Sequence, residues 1–221
     1  GEHENERTEL NADYKANRVD YSQTPEEDSP FSQLLDVYAA LDYMGIKHTE
    51  TTVCETDDWI AGYAHTYGDN TEVIVASFDS DFFQLITENV SILRYRGDNT
   101  VICTPAYLRE KFGIEPSQYA DFKSLTGDAS DNIKGADKVG PKTASSLLSE
   151  FGNLENIILN AKAIKKPSIR ESIIRNADRL RTNYNLIKLE GTVPLPFTIE
   201  ELPYTYDGIT TNEVLKGIGV K

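Results

Sequence analysis

Apolar residues along this chain fall into two rhythms. Between Phe31 and Met44 they occupy positions 31, 34, 35, 38, 39, 41 and 44, the spacing of a helix face, and Gly45 follows as a stop. Residues 46–53 are short and Thr-rich and read as an extended segment. Trp59-Ile60-Ala61-Gly62-Tyr63-Ala64 is an apolar helical run entered through Glu55-Thr56-Asp57-Asp58. Residues 72–77 form a short β-branched run behind Asp69-Asn70, which predicts a fully buried strand of a parallel sheet. Residues 89–95 and 100–103, joined by Arg96-Gly97-Asp98-Asn99, predict a hairpin. From Pro105 the pattern turns helical: 106–112 closed by Gly113, 116–125, and a helix from about Lys142 to Phe151 closed by Gly152. The first thirteen residues are polar, with Glu2, Glu4, Glu6 and Glu9. The tail from Thr192 is broken by prolines, and its signals fade after Thr205.

Composition adds bounds. At 221 residues with 39% hydrophobic and 26% charged side chains, the chain can bury a core. No apolar run approaches a membrane span, so a membrane partner is not expected. Two cysteines do not make a disulfide framework, which points to a reducing cytoplasm. His3, His48 and His65 show no zinc-ligand spacing. The net charge of −14 opposes a whole-surface nucleic-acid binder. Either the partner is not a polyanion, or the acids are gathered in a metal site and on other faces. The distribution favours segregation, because residues 162–181 carry seven basic side chains against two acidic ones.

The acids stand in clusters. Glu55, Asp57 and Asp58 open a helix; as cap residues they would be ordinary, but three acids in four positions exceed what a cap requires. Glu55 and Asp58, three apart, could converge on one cation. Asp79 and Asp81 follow the predicted strand, where ligand sites of open α/β sheets lie. Asp128 and Asp131 stand three apart in Gly127-Asp128-Ala129-Ser130-Asp131-Asn132-Ile133. Seven carboxylates from three segments could share a site only around cations, and oxygen ligands without His or Cys select Mg²⁺ or Mn²⁺. Two such ions could stabilise attacking and leaving oxygens at phosphorus. Tyr14-Lys15-Ala16-Asn17-Arg18 places an aromatic ring and two cations nearby in sequence, and Lys15 and Arg18 could neutralise charge on a phosphate. The turn Lys134 to Lys142 opens the next helix and could offer N–H groups and a lysine to a phosphate.

These motifs, in this order, resemble the 5′-nuclease family, which includes the 5′→3′ exonuclease domain of bacterial DNA polymerase I, phage 5′ exonucleases and flap endonucleases. The resemblance covers most of residues 10–190. It implies an α/β fold: a mixed, mainly parallel central sheet flanked by helices, with a helix–three-turn–helix DNA-binding subdomain. It implies residues 1–104 as nuclease core with an arch at about 14–31, residues 105–190 as helical subdomain, and residues 191–221 packing back on the core. Metal ligands would be Glu55, Asp57, Asp58, Asp79, Asp81, Asp128 and Asp131, holding two Mg²⁺ ions for which Mn²⁺ can substitute. Tyr14, Lys15 and Arg18 would be catalytic. Gly135, Lys138, Val139, Gly140, Lys142 and Thr143 would grip duplex DNA, with a K⁺ on the 134–142 hairpin. The implied activity is two-metal hydrolysis at 5′ ends and flaps by a monomer of the bacterial cytoplasm. Its substrates would be DNA flaps, overhangs or nicks, with a polymerase acting in trans.

Four departures bear on this. Relatives carry strands with Asp-Gly-Asn and Phe-Asp before the Tyr-Lys segment, and nothing before Tyr14 supplies them, so the chain is expected to be a fragment. It ends at Lys221 with no polymerase following, which favours a stand-alone enzyme. Phe78 stands where Gly is usual and is expected to crowd the backbone. Lys138 replaces a hairpin Gly, and the arch segment is acidic (Glu26, Glu27, Asp28) where a threading arch would be basic. The competing reading is a catalytically impaired branched-DNA binding module; a ribonuclease of the related small α/β class is a third.

Overall fold

The computed structural model describes Arg7, residues 9–18, Tyr21, and residues 24–25, 28–51 and 54–220. Glu2, Glu4, Glu6, Glu26, Glu27, Thr52 and Val53 lie outside the described residues. In chain order the helices are α1 (Leu34–Tyr43), α2 (Thr56–Tyr67), α3 (Pro105–Phe112), α4 (Tyr119–Thr126), α5 (Pro141–Phe151), α6 (Leu154–Leu159), α7 (Pro167–Ile187) and α8 (Thr211–Gly217). The strands are β1 (Val73–Ala76), β2 (Val90–Arg94), β3 (Val101–Cys103), β4 (Gly127–Asp128) and β5 (Ile133–Lys134). The chain divides into two compact units, Gly1–Asn17 with Thr52–Pro194, and Arg18–Thr51 with Leu195–Lys221.

The first unit is built on a mixed sheet in the order β1-β2-β3. β1 runs parallel to β2, with Val75 beside Ile92, and β2 runs antiparallel to β3. Period-two alternation sends Val75, Val90, Ile92 and Cys103 into the core, as strand geometry requires. β1 is not the fully buried strand its sequence predicts: Ile74 on the opposite face is 52% exposed. Burial on both faces needs a second covering layer, which a run of β-branched residues cannot reveal by itself. The core continues without a break from the sheet through Phe82, Phe83 and Leu85 into α3, α4, α5 and α7. Helix ends follow local chemistry: Gly113 closes α3 in the left-handed region (φ 69°) and donates its N–H to the Leu108 and Arg109 carbonyls, a conformation that costs Gly little.

In the second unit α1 forms where helical spacing predicts it, but none of its residues is buried, and Leu35 is 79% exposed. Residues 46–51 carry no regular structure, so Thr-rich composition here does not make a strand. α8, which the weak tail signals do not announce, starts with a capping box between Thr210 and Glu213. It packs close to α1, since a Cβ on Gly217 would stand 2.3 Å from the Tyr43 ring.

Candidate metal centre and nucleic-acid grip

The acidic centre begins where β1 ends. The Asp79 N–H donates to the Ser77 hydroxyl at 3.0 Å, and Asp79 Oδ1 accepts from the Asp81 N–H at 2.9 Å, folding the chain into a 3-10 turn over Asp81–Leu85. Phe82 and Phe83, buried to 2% and 0% exposure, anchor that turn. The Phe83 ring meets Tyr107, Phe112 and Tyr119 at centroid distances of 5.3–6.1 Å, so Asp81 rides on a packed aromatic cluster. Phe78 does not crowd the backbone as expected. Its ring is half-exposed, 5.0 Å from the Arg96 guanidinium, and its carbonyl accepts from Arg94 at 2.7 Å.

The second part is the tight hairpin β4–β5. Gly127 has φ 83°, and a Cβ there would stand 2.6 Å from the Gly135 nitrogen; one on Gly135 would meet the Leu125 carbonyl at 2.4 Å. Two glycines therefore let the hairpin close against the end of α4. Asp128 Oδ1 accepts from the N–H of Ser130 at 2.9 Å and from its hydroxyl, and Oδ2 faces the Lys123 amine. Burial opposes ionisation, but Lys123 and Ser130 hold the Asp128 carboxyl below its ordinary value. Asp81, Asp128 and Asp131 bring one ligand atom each to within 4.8 Å of one another. Asp81 Oδ1 is buried with no hydrogen-bond partner. Desolvation, reinforced by Asp79, Asp128 and Asp131 against Lys123, pushes the Asp81 carboxyl up to about 7. A carboxylate with one buried, unpartnered oxygen among like charges fits a hard divalent cation.

The third part is the start of α2. Glu55 occupies the cap position but makes no capping bond. Its Oε1 accepts from the Lys15 amine at 2.9 Å and its Oε2 from the Arg7 guanidinium. Arg7 also donates to Asp58 Oδ1 at 3.0 Å. Glu55 and Asp58 thus converge on one cation, a guanidinium. Burial, then Asp79 and Glu55, raise Asp57 to about 6, which places Asp57 in the field of the β1 loop. The Tyr14–Asn17 segment docks on the hairpin turn. The Lys15 N–H donates to the Asp131 carbonyl at 3.0 Å, Asn17 to the Ala129 carbonyl at 3.0 Å, and Asn132 to the Asp13 carbonyl at 2.9 Å. Tyr14 is 6% exposed and packs with Ala120, Ile133, Leu186 and Ile187, and the Lys15 amine lies 4.8 Å from its ring centroid. Burial disfavours the charge on Lys15, but Tyr14 and Glu55 hold its pKa above the ordinary value. Arg18 belongs to the second unit.

The 134–142 turn is anchored from inside. Ala136 and Val139 are buried, whereas Lys134, Lys138, Gly140 and Lys142 are exposed and Thr143 is half-buried. Gly140 caps α5, with Pro141 as its first residue. α7 grips the turn from behind: Arg179 donates to the Gly135 carbonyl at 2.8 Å, and Asn183, 1% exposed, donates to the carbonyls of Lys134 and Ser124 at 3.0 and 3.2 Å. Lys138 has φ 65°, so the lysine standing at a glycine position carries backbone strain. Arg175 and Lys134 each stand 3.8 Å from Asp137.

Sequence reasoning missed two cations, Lys123 and Arg7. Lys123 had a signal, since it stands one turn before the end of a predicted helix that delivers Asp128. Arg7 had none, because its partners lie 48 and 51 positions away.

Two family models match the chain: a 5′-3′ exonuclease N-terminal resolvase-like domain over residues 1–113 and a 5′-3′ exonuclease C-terminal SAM fold over residues 114–208. Among curated relatives, a thermostable DNA polymerase I of Thermus aquaticus is 37% identical over 190 residues, covering 86% of this chain and 22% of that protein. The chain thus spans about a fifth of the length of the polymerase relatives it matches. A 5′-3′ exonuclease of Buchnera aphidicola is 32% identical over 203 residues, covering 89% of this chain and 68% of that one. A solved structure described as divalent metal ions (zinc) bound to T5 5′-exonuclease aligns with TM-score 0.68 and 25% identity, covering 83% of this chain and 70% of that one. A T5 flap endonuclease complex with DNA and metal ions aligns with TM-score 0.69 at 24% identity and the same coverage, which speaks for the fold alone. With matched domains over residues 1–208 and a relative covered for two thirds of its length, the chain belongs to the 5′-3′ exonuclease family.

Proposed function

We propose that this chain is a Mg²⁺-dependent 5′ nuclease that hydrolyses DNA phosphodiesters at 5′ ends, nicks and 5′ flaps. The observation that carries the reading is the meeting of Asp81, Asp128 and Asp131 within 4.8 Å, with one buried carboxylate oxygen unpartnered. Asp57 and Asp79 extend the same acidic field. Divalent ions held there would acidify a water and stabilise charge on the scissile phosphate. The chain's own groups do the rest. Asp81, Asp128 and Asp131 provide the oxygen donors, which suit Mg²⁺ and admit Mn²⁺. Lys15, fixed by Glu55 and the Tyr14 ring, neutralises the phosphate, and Tyr14 positions Lys15; for Arg18 the same role rests on the Tyr14–Arg18 motif alone. Gly135, Lys138, Val139, Gly140, Lys142 and Thr143 form the turn that holds the duplex, with a K⁺ on its carbonyls as part of the same reading. Residues 105–190 serve as the DNA-gripping part, and the monomer works in the cytoplasm. Among the described residues no helix is long and apolar enough to cross a membrane.

The test is cleavage of a 5′-labelled flap duplex with Mg²⁺ and with EDTA, beside a matched RNA flap. Mg²⁺-dependent release of the DNA flap is expected. Salt-dependent binding without cleavage would favour the branched-DNA binding module instead, and faster loss of the RNA flap would favour a ribonuclease.

A further inference from the structure

Arg7 is 8% exposed, and its guanidinium is satisfied by groups from two distant segments. One side donates to the Glu55 carboxylate and the other to Asp58 Oδ1 at 3.0 Å and the Lys188 carbonyl at 3.4 Å. Asp58, itself 4% exposed, also accepts the Glu190 N–H at 2.9 Å. The start of α2 is thereby tied to the chain just beyond α7. The second Glu55 oxygen holds the Lys15 amine at 2.9 Å, so Glu55 sits between two fixed cations.

A buried ion pair is weak evidence for stability, because removing charges from water offsets their attraction. Geometry gives this one another role. Residues 55 and 58 share a side of the first turn, three apart, and residue 57 points about 100° away from 58. Clamping Glu55 and Asp58 therefore sets the rotation of that turn and with it the aim of Asp57. Arginine suits this role, since its planar fork reaches two carboxylates at fixed angles and keeps its charge at every working pH.

We propose that Arg7 is a positioning residue of the acidic centre, clamping Glu55 and Asp58 and so fixing the direction in which Asp57 leaves the first turn of α2. Asp58 Oδ1 is taken by Arg7 and the Glu190 N–H, so that Asp58 braces the start of α2. The inference rests on the metal-dependent reading above.

The test measures Mn²⁺ binding to the full chain, without DNA, by calorimetry, with thermal unfolding and flap cleavage run in parallel. Arg7→Gln is expected to raise the Mn²⁺ concentration for half-saturation roughly tenfold, as loss of outer partners of metal ligands does. Arg7→Lys, which keeps the charge without the fork, should recover part of that loss, and KM for the flap should stay nearly constant. Asp58→Asn should weaken Mn²⁺ binding no more than Arg7→Gln does. A merely structural Arg7 would lower the unfolding midpoint while the folded variant binds Mn²⁺ like wild type, and that overturns the proposal. Should Arg7→Gln not fold, Arg7→Lys decides alone: wild-type Mn²⁺ affinity refutes positioning, and weakened affinity supports it. Wild-type chain that binds Mn²⁺ without cleaving DNA contradicts the nuclease reading and leaves the Arg7 comparison standing. Wild-type chain that binds no Mn²⁺ ends both.

Discussion

Replacing Asp81 by Asn should strengthen the metal-free protein and weaken the metal-bound one. In the folded chain the Asp81 carboxyl titrates at about 7 against an ordinary 3.8, because burial and the charges of Asp79, Asp128 and Asp131 outweigh Lys123. That displacement corresponds to about 4 kcal/mol of differential free energy at most. The sign follows from linkage: the folded state binds this proton more tightly than the unfolded state, so stability falls as pH rises from about 4 to about 7. Asn has the same shape and no charge to desolvate. Unfolding by urea in EDTA should therefore show Asp81→Asn more stable than wild type by about 2–4 kcal/mol at pH 8, with the gain shrinking toward pH 4. Adding a divalent ion should reverse the order, because wild type binds it with all three carboxylates and gains more binding energy than the variant. If Asp81→Asn is no more stable at pH 8 in EDTA, or shows the full wild-type slope with pH, burial and like charge do not oppose the Asp81 carboxylate as described.

Two further outcomes follow from neighbouring geometry. Lys138→Gly should relieve the left-handed backbone (φ 65°) and stabilise the fold by about 1 kcal/mol; flap DNA should bind more weakly, with a salt slope smaller by about one, both read from unfolding and salt-titrated binding. Lys123→Ala leaves the Asp128 carboxylate without its cation and should cost about 1–3 kcal/mol at neutral pH in EDTA, with the loss shrinking on acidification and on adding divalent metal.

Local rules made much of this fold legible. Gly113 and Gly152 end α3 and α5 where the sequence places them, and the run at 73–76 is a strand because β-branched residues bounded by turn residues leave few alternatives. The clusters at Asp79–Asp81 and Asp128–Asp131 are legible from their place after a strand and before a turn, and of their members Asp81, Asp128 and Asp131 come together. What sequence could not give is tertiary. The exposure of Ile74 and Leu35 depends on whether another layer covers them. The fate of Glu55 and Asp58 depends on Arg7, a residue in a polar stretch that offered no periodicity to read. Phe78 escapes the expected clash because Arg94 and Arg96 give its ring a place to lie, and no local rule announces a cation from the next strand.

In the proposed nuclease, the carboxylates gathered at the end of β1 and in the β4–β5 hairpin hold the metal ion on which cleavage depends. The most direct measurement is single-turnover cleavage of a 5′-flap duplex in Mg²⁺ by wild type and by Asp128→Ala with Asp131→Ala, beside flap binding by both in EDTA. Wild type is expected to cleave only with the metal, and the double variant to bind the flap as wild type does but leave it intact. Cleavage persisting in EDTA, or surviving the loss of both aspartates, would contradict it.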